Sequence, residues 1–164
     1  MLMTTKTLII TAKPLTAAEF KPFGQVLDHR PGDHTRRNFA ADLFNGRPDA
    51  RPNLRVQRTE PTPLPLLAER IERHCYSSQM FAPISGGQYL VTVFPSDRAG
   101  DPVFAQGKAF IAAGDQAVNY NPGTWHHPFA ALYAPGTFLM LRWDECGPGD
   151  EEFLTLPQPI LIEG

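Results

Sequence analysis

VNYNPGTWHHPF, residues 118–129, is the stretch on which the reading of the whole chain turns. Asn121-Pro122-Gly123 is a turn signal, because proline presets one backbone angle and glycine accepts the left-handed one. Short apolar runs flank it at residues 116–120 and 124–133, each bounded by turn residues as strands are. His126 and His127 therefore fall at the start of a strand, where neighbours point to opposite faces. At most one of them enters a barrel interior. His126 is the candidate for a cavity; His127 is expected to pack on the other face or to make a secondary substrate contact.

The same punctuation runs through the chain. Seventeen prolines and thirteen glycines in 164 residues exceed ordinary usage and fall between short apolar runs. Strands are expected over residues 7–12, 38–45, 55–58, 89–94, 116–120, 124–133 and 137–143. A further one leads from Ser77 toward the Ser85-Gly86-Gly87 turn. The apolar tail, 153–162, carries Pro157 and Pro159 and so suits an edge strand. Thr16 and Glu19 have the spacing of a capping box for a short helix. Leu64, Leu67 and Ile71 suggest helical turns over 64–74, and Val103, Gly107, Phe110 and Ile111 a short helix over 103–112. The expectation is one all-β domain over residues 1–164, a sandwich or barrel with a few short helices.

Composition excludes several function classes. Fifteen basic residues against seventeen acidic ones leave a net charge of −2, no electrostatic footprint for nucleic acid. No apolar run approaches the roughly 20 residues of a membrane helix, and the first residues are too little for a signal peptide. Cys75 and Cys146 stand far apart without CxxC spacing, so a structural zinc site lacks ligands, and reduced thiols in a cytoplasmic protein are expected. Arg30, Arg36, Arg37, Arg47, Arg51, Arg55 and Arg58 make residues 30–58 locally basic. That region reads as a solvated face, or as one that sends an arginine to an anionic substrate or a partner subunit.

Polar residues inside apolar contexts are the candidates for chemistry. Gln79 lies between Ser78 and Met80-Phe81, and Asn119 and Tyr120 precede the turn. Buried polar groups are costly unless paired or lining a ligand cavity. Pro122-Gly123-Thr124-Trp125-His126 resembles the second half of the cupin signature. The first half of that signature supplies His-x-His and a glutamate; the matching stretch here, residues 74–79, has neither. No cofactor is required on this reading, and a weakly bound divalent metal on His126 and Gln79 is left open.

Two segments together carry a closer resemblance. ERHCYSSQMFAP, residues 72–83, and VNYNPGTWHHP, residues 118–128, resemble the ureidoglycolate lyase family, as does the opening from Leu15 to Gly24. The chain departs from the family pattern at Cys75 and Asn121. The resemblance implies a cupin-like double-stranded β-helix, a jelly-roll barrel, assembled as a homodimer. It implies cleavage of ureidoglycolate to glyoxylate and urea in allantoin and purine degradation. That substrate carbon bears a hydroxyl, a carboxylate and a urea nitrogen, so elimination needs a proton acceptor, a proton donor and fixed polar partners. A histidine side chain ordinarily titrates at roughly 6.5, so its type suits proton transfer near neutrality, and His126 is the histidine offered for it. His126 and Gln79 are the candidate catalytic residues; Ser77, Ser78, Asn119, Tyr120, Arg73 and His127 are candidate substrate contacts. The alternatives are a metal-dependent cupin enzyme acting on another small hydroxy or keto acid, and a non-catalytic small-acid-binding cupin.

Overall fold

The structure is a computed structural model and describes residues 7–29, 32 and 36–164. Arg30, in the basic stretch, lies outside the described residues. Twelve strands are present among them: β1 Leu8–Thr11, β2 Lys13–Pro14, β3 Gly24–Leu27, β4 Arg51–Thr59, β5 Leu66–Arg73 and β6 Gln79–Ser85. They continue as β7 Tyr89–Phe94, β8 Lys108–Ala112, β9 Ala117–Tyr120, β10 Trp125–Ala131, β11 Gly136–Asp144 and β12 Glu152–Glu163. The order β1-β12-β5-β10-β7-β8-β2 makes one sheet, and β3-β9-β6-β11-β4 the other. The all-β expectation holds, and the two sheets form a near-closed barrel.

One apolar cluster fills the space between the sheets. Phe81, Val118, Tyr120, Phe138 and Met140 of the five-stranded sheet meet Tyr89, Val91, Phe110 and Phe129 of the other. Each large side chain so buried contributes roughly 1.5–3 kcal/mol. The aromatics pack edge-on, as Phe129 does on Phe138 at 4.4 Å between ring centroids. A second cluster joins Ile10, Ala68, Ile71, Leu90, Phe94, Trp125 and Ile160 within the seven-stranded sheet. The short helix α1, Ala17–Phe20, starts where expected: Thr16 Oγ1 accepts the Glu19 amide at 3.3 Å, and Phe20 is fully buried.

Four expectations are corrected. Residues 64–74 are not helical; 66–73 form β5, between β10 and β12. Ala68 and Ile71 both enter the second cluster three residues apart, because pairing with β12 is irregular between Thr155 and Ile160. That break in period 2 imitates helical spacing. The 103–112 stripe holds one 3-10 turn, Phe104–Gln106, and then becomes β8. Residues 38–45 contain a 3-10 turn at Ala40–Asp42 and a single bridge from Asn45 to Ser77, with no strand. The tail is an interior strand, β12, and its two prolines sit in the irregular stretch between residues 155 and 160, where no ladder partner is needed.

β6 and β7 are strands with a turn between, as read, but they belong to different sheets. The chain crosses the barrel at Gly86 rather than forming a hairpin. The Pro122-Gly123 turn forms with Gly123 at φ 76°, a left-handed backbone, and the Gly123 amide donates to the His74 carbonyl at 2.8 Å. The turn thereby seats the start of β10 against the end of β5.

Candidate active site

The strand pair β5–β10 positions the ionisable groups. His126 lies directly across from Glu72. His74 is two residues further along than Glu72 and so returns to the same face. The ligand-capable atoms of Glu72, His74 and His126 all lie within 4.8 Å of one another. His126 is 1% exposed, and its ring stacks on Tyr120 at 4.2 Å and 9° between planes. The opposite-face argument for the two histidines thus resolves in favour of His126. His127 is half-buried, with Nδ1 on the Pro128 carbonyl at 2.7 Å, and burial pushes its pKa down.

Hydrogen-bond partners assign the tautomers. His126 Nδ1 lies 2.9 Å from the Thr124 carbonyl, which can only accept, so Nδ1 carries the proton. Nε2 then faces Glu72 Oε1 at 3.3 Å without a well-aligned hydrogen bond. Burial raises the Glu72 carboxyl, but His126, His74 and Arg142 outweigh it and hold it below the ordinary value. His74 Nδ1 sits 3.0 Å from the Asp150 carbonyl and so carries the proton, leaving Nε2 buried without a partner. Arg142 Nη1 is also 3.2 Å from that Nδ1, but it donates to Glu151 at 3.0 Å and acts on His74 as a nearby charge. Burial first, then the charges of His126 and Arg142, push the His74 pKa down to about 4.

A cavity of about 160 Å³ opens beside these groups, lined by Arg55, Gln57, Glu72, Gln79, Arg142 and Glu151 over an apolar floor of Phe81, Phe129 and Met140. Strand alternation puts them there. Arg55 of β4 lies opposite Met140 of β11, and Met140 opposite Phe81 of β6, all on the inner face. Gln79 is buried, and its Oε1 has no hydrogen-bond partner. Arg142 forms an ion pair with Asp144 at 2.8 Å. Larger hollows of about 330 and 370 Å³ lie elsewhere, along β1 and β8 and around Pro122, away from these ionisable groups.

The residues singled out in the sequence divide between inside and outside. Gln79, Tyr120 and His126 are brought together in the barrel interior; Tyr120 presents its ring, and its buried hydroxyl has no partner. Asn119 points the other way, donating to Gln25 at 2.8 Å and to the Asp42 carbonyl at 2.9 Å. Ser77 accepts the Trp143 amide at 2.8 Å, and Ser78 the Phe44 amide at 2.9 Å. Arg73 holds Glu152 at 2.8 Å and the Gly100 carbonyl at 2.6 Å, and lies over the Trp125 ring at 4.3 Å. None of these four lines the cavity. Asn121 accepts from Gln25 at 2.9 Å, and Cys75 is exposed, so both departures from the family pattern lie off the cavity. Glu72, His74, Arg142 and Gln57 were missed. An Glu-x-His alternation at 72–74, in place of the His-x-His sought at 74–79, was the signal for the first two.

The set also fits a divalent metal better than His126 and Gln79 would. Two buried imidazoles, each with an Nε2 that makes no hydrogen bond, and one carboxylate form a three-donor group of the kind catalytic metal sites use.

The barrel is of the cupin type, with Glu72, His74 and His126 gathered together. The fold is shared with a dTDP sugar isomerase from Desulfovibrio desulfuricans G20, at a TM-score of 0.50 and 15% identity over 84% of this chain and 87% of that one. The family model described as ureidoglycolate lyase matches residues 7–163. A ureidoglycolate lyase from Azotobacter vinelandii is 34% identical over 163 residues, 94% of this chain and 97% of that protein. One from Rhizobium etli is 37% identical over 161 residues, 92% and 93% of the two chains. The chain belongs to the ureidoglycolate lyase family.

Proposed function

We infer that the protein is a lyase that cleaves ureidoglycolate to glyoxylate and urea. The observation that carries the reading is Glu72, which lines a small cavity and lies 3.3 Å from Nε2 of the buried His126, in a chain matching the family over residues 7–163. The hydroxyl proton passes to the Glu72–His126 pair, the carbinol C–O becomes the carbonyl, and the C–N electrons leave with urea. The same pair returns the proton to the departing nitrogen. Arg55 and Arg142, which line the cavity, would hold the substrate carboxylate. Gln79, with Oε1 unpaired, accepts from the urea N–H groups, and Tyr120 keeps the His126 ring in plane. Glu72, His74 and His126 would hold a divalent metal, which would supply Lewis-acid polarisation of a substrate oxygen.

The acting form is a homodimer working in the cytoplasm, one domain to each chain. Leu54 and Val56 of β4 are 63% and 60% exposed and, with Leu139 and Leu141 of β11, line the outer face of the five-stranded sheet. An apolar sheet face ending in an edge strand favours a second copy as cover. The free, exposed Cys75 and Cys146 suit a reducing compartment.

A coupled glyoxylate assay with and without chelator tests the activity. Urea and glyoxylate should appear in equal amounts, and His126→Ala should remove them. Purified protein giving no glyoxylate above the spontaneous rate would end this reading; a loss under chelator alone would favour the metal-dependent form.

A further inference from the structure

We propose that Arg47 and Asp150 form a clamp that positions His74 and Glu151, making both positioning residues for the reaction inferred above. Neither touches the cavity. Asp150 reaches the site through its backbone: its carbonyl accepts from His74 Nδ1 at 3.0 Å, and the next residue, Glu151, lines the cavity and meets Arg142.

The segment carrying that carbonyl is an irregular loop, residues 145–151, between β11 and β12. Cys146 within it has φ 60°, a conformation uncommon outside glycine. The Asp150 carboxylate holds this conformation from inside, accepting the Glu145 amide at 2.8 Å and the Gly147 amide at 3.0 Å. Both Arg47 and Asp150 are largely shielded from water, and Arg47 Nη2 binds Asp150 Oδ1 directly. Arg47 Nη1 adds Glu145 at 3.2 Å, so one guanidinium ties both ends of the loop.

The other end of the clamp is equally fixed. Arg47 lies over the Tyr76 ring at 5.2 Å, and Gly46 donates to the Tyr76 carbonyl at 2.8 Å. Asn45 bridges to Ser77, and Ser78 bonds the Phe44 amide. Ser77 and Ser78, which sequence suggests as substrate contacts, anchor the strap that carries Arg47. A continuous path runs from the 77–78 corner through Arg47 and Asp150 to the proton on His74 Nδ1. Fixing that proton fixes the bare Nε2 toward Glu72 and His126.

The test combines steady-state kinetics with long-range proton–nitrogen spectra of the histidine-labelled protein. Arg47→Ala and Asp150→Ala should each lower kcat by roughly tenfold or more, with KM changed far less. In both, the His74 ring should lose its single Nδ1-protonated form and show a tautomer mixture. Arg47→Lys, which keeps charge but not the two-pronged fork, should fall between. If the alanine variants do not fold, Arg47→Lys and Asp150→Asn carry the same two readouts. Wild-type kcat in these variants, or His74 still protonated only at Nδ1, would overturn the clamp. The spectra decide it independently of turnover, so a wild-type protein inactive on ureidoglycolate would sink the lyase reading alone.

Discussion

Gln79 shows what a single residue contributes at this site. It is buried, its Oε1 lacks a partner, and it faces the same cavity as Glu72 and Arg142. An unmet buried acceptor costs about 1–3 kcal/mol, an expense offset when a ligand N–H fills it. Gln79→Ala should therefore raise KM by roughly tenfold or more with a smaller effect on kcat, read from initial rates across substrate concentrations. Glu72→Gln is expected to do the opposite: kcat falls by about 100-fold or more because the proton acceptor is gone. An unchanged kcat in that variant would move the proton-transfer role to another group. Sequence context suggested Gln79 and His126 because both are polar amid apolar neighbours. Arg142 carried no such mark, since an arginine between Leu141 and Trp143 reads equally well as a strand's solvent-facing position. Only the register of β11 against β4 and β6 turns it inward.

At the scale of elements, strand phase sorts function from packing. Along β4, Arg55 and Gln57 face the cavity while Leu54 and Val56 face outward. In the basic stretch noted in the sequence, Arg55 lines the cavity, and Arg58 is exposed with Glu60 at 3.0 Å. The outward pair makes β4 the element on which self-association should depend. Val56→Lys should shift the protein from dimer to monomer in sedimentation, with the barrel intact by circular dichroism, because a charge would be buried at the interface. A wild-type protein that sediments as a monomer, or a dimer indifferent to this change, would remove that face from consideration. β5 is the element that sequence periodicity misread. Its apolar residues fall three and four apart, and the irregular pairing with β12 that makes this compatible with a strand involves residues some ninety positions away.

For the molecule as a whole, the buried ionisable groups set a pH dependence. His74 takes its proton near pH 4 when folded but near 6.5 when unfolded, so the unfolded chain binds more protons between those values. Stability is full above about 6.5 and is lost as pH falls toward 4, by roughly 3 kcal/mol. Asp150 extends the same trend. Burial raises its carboxyl, but the Glu145 and Gly147 amides and Arg47 bring it down to about 2, so its contribution disappears between 3.8 and 2. Urea midpoints measured with chelator present should drop steadily from pH 7 to pH 4; a flat profile would mean that His74 is not held neutral. Sequence by itself determined the all-β class, the Pro122-Gly123 turn and the family, and marked His126 and Gln79 as polar residues among apolar ones, because turn chemistry, strand length and local polarity are properties of adjacent residues. Only the tertiary structure decided which face each strand presents, that Glu72 and His74 join His126, that Arg55 and Arg142 enter the cavity, and that Ser77, Ser78, Asn119 and Arg73 stay outside it. Those outcomes depend on register between distant strands, where a shift of one residue exchanges the inner face for the outer.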